Sequence, residues 1–235
     1  MKPKDIEEMF RRFAAANPDP RGELEFISPY TLLVAVALSA QATDASVNKA
    51  TRELFKVVKT PADMVKLGVE GLKPYIRNIG LYNTKAKNIV RMSEILLSEY
   101  GGEVPVDAAA LEKLPGVGAK TAKVVLNVAF GVPVIAVDTH IYRVANRTGL
   151  APSKTREQTM KTLEKIVPEK YRLNAHHWLI LHGRYICTAR RPRCPDCIIR
   201  DLCAYPDKTP PVDAPAAKPK PKTAAKPKPR GRPAA

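Results

Sequence analysis

The chain has four cysteines, Cys187, Cys194, Cys197 and Cys203, and all of them fall within "CTARRPRCPDCIIRDLC" near the C-terminus. Six, two and five residues separate them. Zinc sites usually draw on two close pairs set well apart, and here only Cys194 and Cys197 form such a pair. Compact four-thiolate sets built around a C-x2-C also hold iron-sulfur clusters, so the spacing leaves both cluster and zinc open. Between the first two thiols runs "TARRPR", which sets Arg190, Arg191 and Arg193 on one short loop. Thiolates would impose the loop's shape, and the arginines would meet phosphates.

A second chemistry-bearing stretch is "LPGVGAKTA", residues 114–122. Pro115 stops the helix before it, while Gly116 and Gly118 allow close backbone approach and remove side chains that would hold a phosphate away. The next helix starts at once, so its free N–H groups and positive end face the same space, a ready anion site. Lys120 falls in that helix's first turn. It reads either as a lysine that touches phosphate or as an amine nucleophile, and the helix's positive end favours the neutral amine that a nucleophile needs. Asp138, opening "DTHIYRV", reads as a helix N-cap.

Composition narrows the partner. The formal net charge is +16 and the pI about 9.8, which points to a polyanion, either nucleic acid or an acidic membrane surface. From Ala204 onward the chain has eight Lys or Arg against two Asp, which accounts for +6 of that +16 and leaves the preceding part basic as well. No run reaches the length of a membrane span, and the start "MKPKDIEEMFRRF" is too charged for a signal peptide. A reducing, cytoplasmic location is therefore expected, and disulfides are not.

The elements that must position these residues read as helices. Apolar residues recur at helical spacing in "SPYTLLVAVALSA", "DASVNKATRELFKVV", "TKAKNIVRMSEILLSEY" and "REQTMKTLEKIV". Ser28, Thr60, Asp107 and Asp138 each precede a suitable first turn, and Gly80, Gly101, Gly131 and Gly149 fall where helices should stop. "VPVIAV", 132–137, is expected to be an extended connection, because no partner strand is visible. The expected fold is all-α, with roughly ten short helices in which "TLLVAVALSA" and "VVLNVAF" are central. From about Lys208 the Lys/Pro/Ala text has almost nothing to bury and is expected to be disordered.

Taken together, "LPGVGAKTA", "VDTHIYRV" and the terminal cysteine set resemble the helix-hairpin-helix DNA glycosylase and AP lyase family from about Ile6 to Tyr205. The resemblance implies a two-lobed helix-hairpin-helix DNA glycosylase fold with a C-terminal [4Fe-4S] cluster loop. Its lobes would be a six-helix barrel at about 23–132 and a cluster lobe from 1–22 plus 133–205, with a basic tail at 206–235. It implies Cys187, Cys194, Cys197 and Cys203 as cluster ligands. It implies that Lys120 attacks C1′ of the damaged nucleoside to form a Schiff base and that Asp138 faces it across the cleft.

A stacked base hides C1′, so the nucleotide must be rotated out of the duplex. Gln41 and Leu81 match the family positions that fill the gap, although without the resemblance they read as a polar helix end and a packed loop residue. Gly116, Val117 and Gly118 would hold phosphate, with Arg190, Arg191 and Arg193 as further contacts and His140 and Thr121 in support. The implied activity is removal of oxidised pyrimidines and β-elimination at the abasic site. The implied partner is duplex DNA containing damaged bases or abasic sites, bound by a monomer at the nucleoid, with no membrane. Two rivals share many of these features: a monofunctional adenine-mismatch glycosylase and a noncatalytic iron-sulfur DNA-binding protein. Ala119 departs from the family, which often carries arginine or lysine there.

Overall fold

The computed structural model describes residues 1–211. Among them the chain forms ten α-helices and no strand. In order these are α1 (Pro3–Ala16), α2 (Pro29–Leu38), α3 (Asp44–Val57), α4 (Pro61–Ile76), α5 (Tyr82–Tyr100), α6 (Ala108–Glu112), α7 (Ala119–Phe130), α8 (Thr139–Thr148), α9 (Arg156–Ile166) and α10 (Glu169–Tyr185). A 3-10 turn, Cys194–Asp196, lies in the cysteine loop. No helix is long and apolar enough to cross a membrane.

Caps fix most boundaries where the residue types put them. Ser28, Thr60, Asp107 and Asp138 each accept a hydrogen bond from a backbone N–H in the first turn of the helix they precede. Such a cap stabilises a helix by about 1 kcal/mol. Gly101, Gly131 and Gly149 end α5, α7 and α8 in the left-handed conformation. Gly80 does not play that part. The left-handed residue at this turn is its neighbour Leu81, while α4 ends earlier, at Ile76. The "VPVIAV" stretch connects α7 and α8 without forming a helix or strand.

Two apolar cores result. In the first, α2 is buried along nearly its whole length, Tyr30 to Leu38, and packs against α7, α3 and α5, which makes it the axis of the α2–α7 bundle. "VVLNVAF" is only partly central. Val125 and Leu126 are buried, but Val124 and Val128 are half-buried because that face of α7 lines an open cleft. The second core joins Ile6, Met9, Phe10 and Phe13 of α1 to α8, α9 and α10. Phe10 stacks on Tyr171 at 5.9 Å and lies 6.3 Å from Trp178, whose indole N–H donates to Asn17 O at 2.8 Å. The N-terminal helix thereby closes a core built otherwise from the C-terminal half. Gly183 lets α10 approach α8: a Cβ there would lie 2.9 Å from His140 Cβ.

The start of the tail is not separate from the rest. Lys208 donates to Cys203 O at 2.7 Å, and the Thr209 hydroxyl bonds Pro192 O, so contact with the cysteine loop runs past Tyr205. The disorder expected of the tail concerns residues that, from 212 onward, lie outside the described ones.

Candidate active site and cluster loop

Between the two cores lies a cleft of about 910 Å³. One wall is α7, with Lys120, Thr121 and Val124; the other is α10, with His176, His177 and Arg184. Ser39, Ala40 and Gln41 close one end, and the segment from Asp19 to Phe26 runs along the rim.

Lys120 is exposed on the cleft wall, second in α7, and no hydrogen bond or ion pair holds its amine among the described residues. Its neighbours are otherwise engaged. Lys123 pairs with Glu164 at 2.9 Å, and the Asn127 amide donates to the carbonyls of Val132, Val134 and Leu173. The helix begins at Gly118, which offers no side-chain cap, so its first N–H groups are left for an anion. Gly116 has φ +81, and a Cβ there would lie 3.3 Å from Asn88, so the turn needs glycine. Val117 does not join this anion site. Its side chain is buried in the first core and its N–H is spent on Leu114 O at 3.0 Å.

Asp138 is 7% exposed and is not part of the cleft wall. Its Oδ1 accepts from Ile141 N–H at 2.8 Å, so the capping role is present; Oδ2 has no partner among the described residues. His140 is not among the residues that line the cleft, and its Nδ1 lies 3.3 Å from the guanidinium of Arg143, three residues on in α8. Lys120 shares the cleft with buried His176. Burial, then neighbouring His177, then the positive charge of Lys120 push its pKa down to about 3, and its buried Nδ1 has no hydrogen-bond partner among the described residues. His176 is therefore neutral beside the lysine.

Gln41 and Leu81 share a feature that the spacing did not show. They are the only non-glycine residues with positive φ among the described ones, 58° and 60°, and both are exposed. Holding a branched or amide side chain there costs on the order of 1 kcal/mol each, a cost tolerated where a turn must present a side chain in a set direction.

Several cleft residues escaped the sequence reading. Glu23, Asp44 and Arg184 form an ion-pair set at the rim, and His176 and His177 lie beneath it. The signal available was "HHW" in α10, adjacent polar residues where the helical pattern calls for burial.

The cysteine loop carries little regular structure. Arg147 of α8 donates to Thr188 O and Ala189 O, both at 2.7 Å, and reaches Cys187 Sγ at 3.8 Å; Arg143 donates to Cys187 O at 2.9 Å. Tyr205 N–H donates to Cys203 Sγ at 3.4 Å. Burial, and after it the other cysteines, push the Cys197 thiol up to about 11 and the Cys203 thiol upward. Four mutually repelling, partly buried sulfurs with N–H donors aimed at them form a donor set that suits a positively charged iron-sulfur core. Among the described residues no three His, Cys, Asp or Glu side chains are grouped to hold a metal ion. A cluster asks less of convergence than a single ion does, since each thiolate binds a different iron. Arg190 and Arg191 point into solvent, whereas Arg193 is tied to Asp196 at 2.8 Å.

Known proteins match this arrangement. Residues 34–169 match the HhH-GPD superfamily of base excision DNA repair proteins, and residues 187–203 match the iron-sulfur binding domain of endonuclease III. Endonuclease III of Escherichia coli (strain K12) is 61% identical over 201 residues, 86% of this chain and 95% of that protein. The chain belongs to the endonuclease III family. Two solved structures extend the likeness to the fold. A trapped endonuclease III–DNA covalent intermediate (estranged-adenine complex) superposes with a TM-score of 0.80 at 46% identity, covering 87% of this chain and 96% of that one. A non-covalent endonuclease III–DNA complex gives 0.81 at 45%, with the same coverage. As a member of the endonuclease III family the protein is a DNA-binding enzyme of base excision repair, a DNA glycosylase and abasic-site lyase. It carries a [4Fe-4S] cluster.

Proposed function

We propose that the enzyme, acting as a monomer on duplex DNA in the cytoplasm, removes oxidised pyrimidines and then cuts the strand 3′ to the abasic sugar, with Lys120 as its nucleophile. The observation that carries this reading is a lysine without a partner on the wall of a cleft with ample room for an extruded base, beside an open helix N-terminus. The Lys120 amine attacks C1′ and the base departs with its bonding electrons and a proton; the nitrogen lone pair then breaks the C1′–O4′ bond, O4′ takes up a proton, and a ring-opened Schiff base remains. Loss of a C2′ proton then expels the 3′ phosphate by β-elimination, and water frees the lysine. Neutral His176 adds no charge that would repel the cationic intermediate. Asp138, rigid through its cap and with Oδ2 unengaged, supplies the negative field that favours positive charge on the sugar and helps move protons.

Gln41 and Leu81 fill the space left by the extruded nucleotide, presented by their left-handed turns. The amides at Gly116, Gly118 and the first turn of α7 hold one phosphate, and Arg190 and Arg191 meet the backbone farther along. Cys187, Cys194, Cys197 and Cys203 hold the cluster, which supplies a fixed shape to the arginine loop. A covalent intermediate with DNA in a 46% identical protein is the species a nucleophilic residue would leave.

Borohydride reduction tests the assignment. The wild type should become irreversibly attached to an oligonucleotide containing an oxidised pyrimidine, and Lys120→Ala should lose attachment altogether. Trapping that persists in Lys120→Ala would move the nucleophile elsewhere.

A further inference from the structure

Lys85 is a buried lysine with no acid beside it. It is 9% exposed and lies in the first turn of α5, where the helix's own positive end opposes a cation. Its amine donates to Leu38 O at 2.9 Å and to Ala40 O at 2.7 Å, and burial pushes its pKa below the usual lysine range. A lysine at such a helix start normally extends its amine into water, so this placement works against both solvation and the helix field.

What the two bonds accomplish is geometric. Leu38 is the last residue of α2, and Ala40 immediately precedes Gln41. The backbone N–H of Lys85 donates to Leu81 O at 3.0 Å. One residue thus grips the Leu81 turn with its main chain and the Gln41 turn with its side chain. These are the two turns in which non-glycine residues hold positive φ. The two loops come from chain segments some forty residues apart, and among the described residues no other side chain ties their backbones together.

We propose that Lys85 is a positioning residue that fixes Gln41 and Leu81 at one spacing, so that both enter the duplex together as the damaged nucleotide leaves it. This rests on the reading of Gln41 and Leu81 as the inserted pair. Leu38 O is the last carbonyl of α2 and Ala40 O lies just beyond it, at the helix end whose partial negative charge matches the ammonium; apolar replacement takes this partner from the buried Leu38 carbonyl.

The test uses the full-length, cluster-loaded protein carrying Lys85→Met, which keeps the stem's volume and removes both bonds. On duplex DNA with one oxidised pyrimidine, kcat/KM should fall on the order of tenfold or more. The fluorescence rise of a 2-aminopurine beside the lesion, which reports extrusion, should slow with it. Borohydride trapping on a single-stranded abasic oligonucleotide, which needs no gap filled, should match the wild-type rate. Equal losses in both assays would mean a merely structural lysine and overturn the proposal.

Gln41→Ala and Leu81→Ala serve as references. If both process duplex lesions at the wild-type rate, the inserted-pair reading fails and Lys85 loses its role with it. If both are impaired while Lys85→Met is not, only the Lys85 proposal fails. In the Gln41→Ala/Leu81→Ala background, Lys85→Met should cost nothing further; a full additional loss would overturn it. Should Lys85→Met not fold, Lys85→Arg should show a smaller defect confined to the duplex, and a wild-type duplex rate there would count against the proposal.

Discussion

The core around α2 is almost entirely aliphatic, whereas the core around α10 packs Phe10, Phe13, Tyr171 and Trp178 against buried histidines and continues into a loop without regular structure. In the first, helical periodicity alone sets what is buried, and polar exceptions such as the Tyr30–Ser93 hydroxyl pair at 2.7 Å are closed on themselves. In the second, shape beyond Tyr185 depends on arginine-to-carbonyl bonds from α8 and on the thiols. The hydrophobic effect holds one side, while coordination chemistry and charge complete the other. The catalytic cleft lies along the seam, so each side can be perturbed while the other reports.

Removing a proposed cluster ligand should break this contrast most severely. Cys197→Ser is expected to abolish the cluster's visible absorbance and to free residues 187–203, losing the contacts of Arg190 and Arg191. Duplex affinity should fall on the order of tenfold to a hundredfold at physiological salt. Hydrogen exchange should rise in the loop and the C-terminal turns of α10 while α2 keeps its protection. Equal loss of protection in α2 would show that the two cores are one cooperative unit.

Acid should distinguish the cores by a smaller margin. All four histidines lie at or beyond position 140, and His176 and His177 are buried in α10. Burial lowers both pKa values, to about 3 for His176. An unfolded histidine takes up a proton as pH falls through roughly 6.5, and folded His176 does not, so the stability it contributes is complete above that pH. It is lost progressively as pH drops toward 3, by roughly 1 kcal/mol per pH unit. Protection of α10 should therefore decline between pH 6.5 and 4.5 ahead of that of α2, and His176→Asn should reduce the slope. A slope unchanged by that substitution would remove the histidine from the account.

Much of this contrast was legible in the sequence. Caps at Ser28, Thr60, Asp107 and Asp138 follow from local hydrogen-bonding chemistry, and the apolar run of α2 could only be an axis. The family motifs led to Lys120, the hairpin and the cysteines because their residue types carry the chemistry. What stayed hidden depends on the meeting of distant segments. The left-handed turn at Leu81 beside a glycine and the burial of Val117 are both set by tertiary neighbours. Local pattern has no access to them. His176 shows the same limit, since a histidine in a helix says nothing of the lysine whose field it will feel.

The smallest expected effect concerns the arginine loop itself and separates its three cations. Arg191 is exposed, its carbonyl held by the Thr188 hydroxyl at 2.7 Å while its guanidinium has no partner among the described residues. Arg193, equally exposed, is bound to Asp196 at 2.8 Å and must surrender that carboxylate before it can neutralise a phosphate. An exposed pair of this kind is worth under about 1 kcal/mol, but its negative partner also remains next to the DNA. Arg191→Ala should therefore reduce the slope of log K against log salt by roughly 0.9, the release of one phosphate's counterions, and Arg193→Ala by distinctly less. Cluster absorbance should be intact in both. If Arg193→Ala moves the slope as far as Arg191→Ala does, the Asp196 pair opens on binding and the loop is not presented to DNA in the shape that its thiols and Arg147 give it.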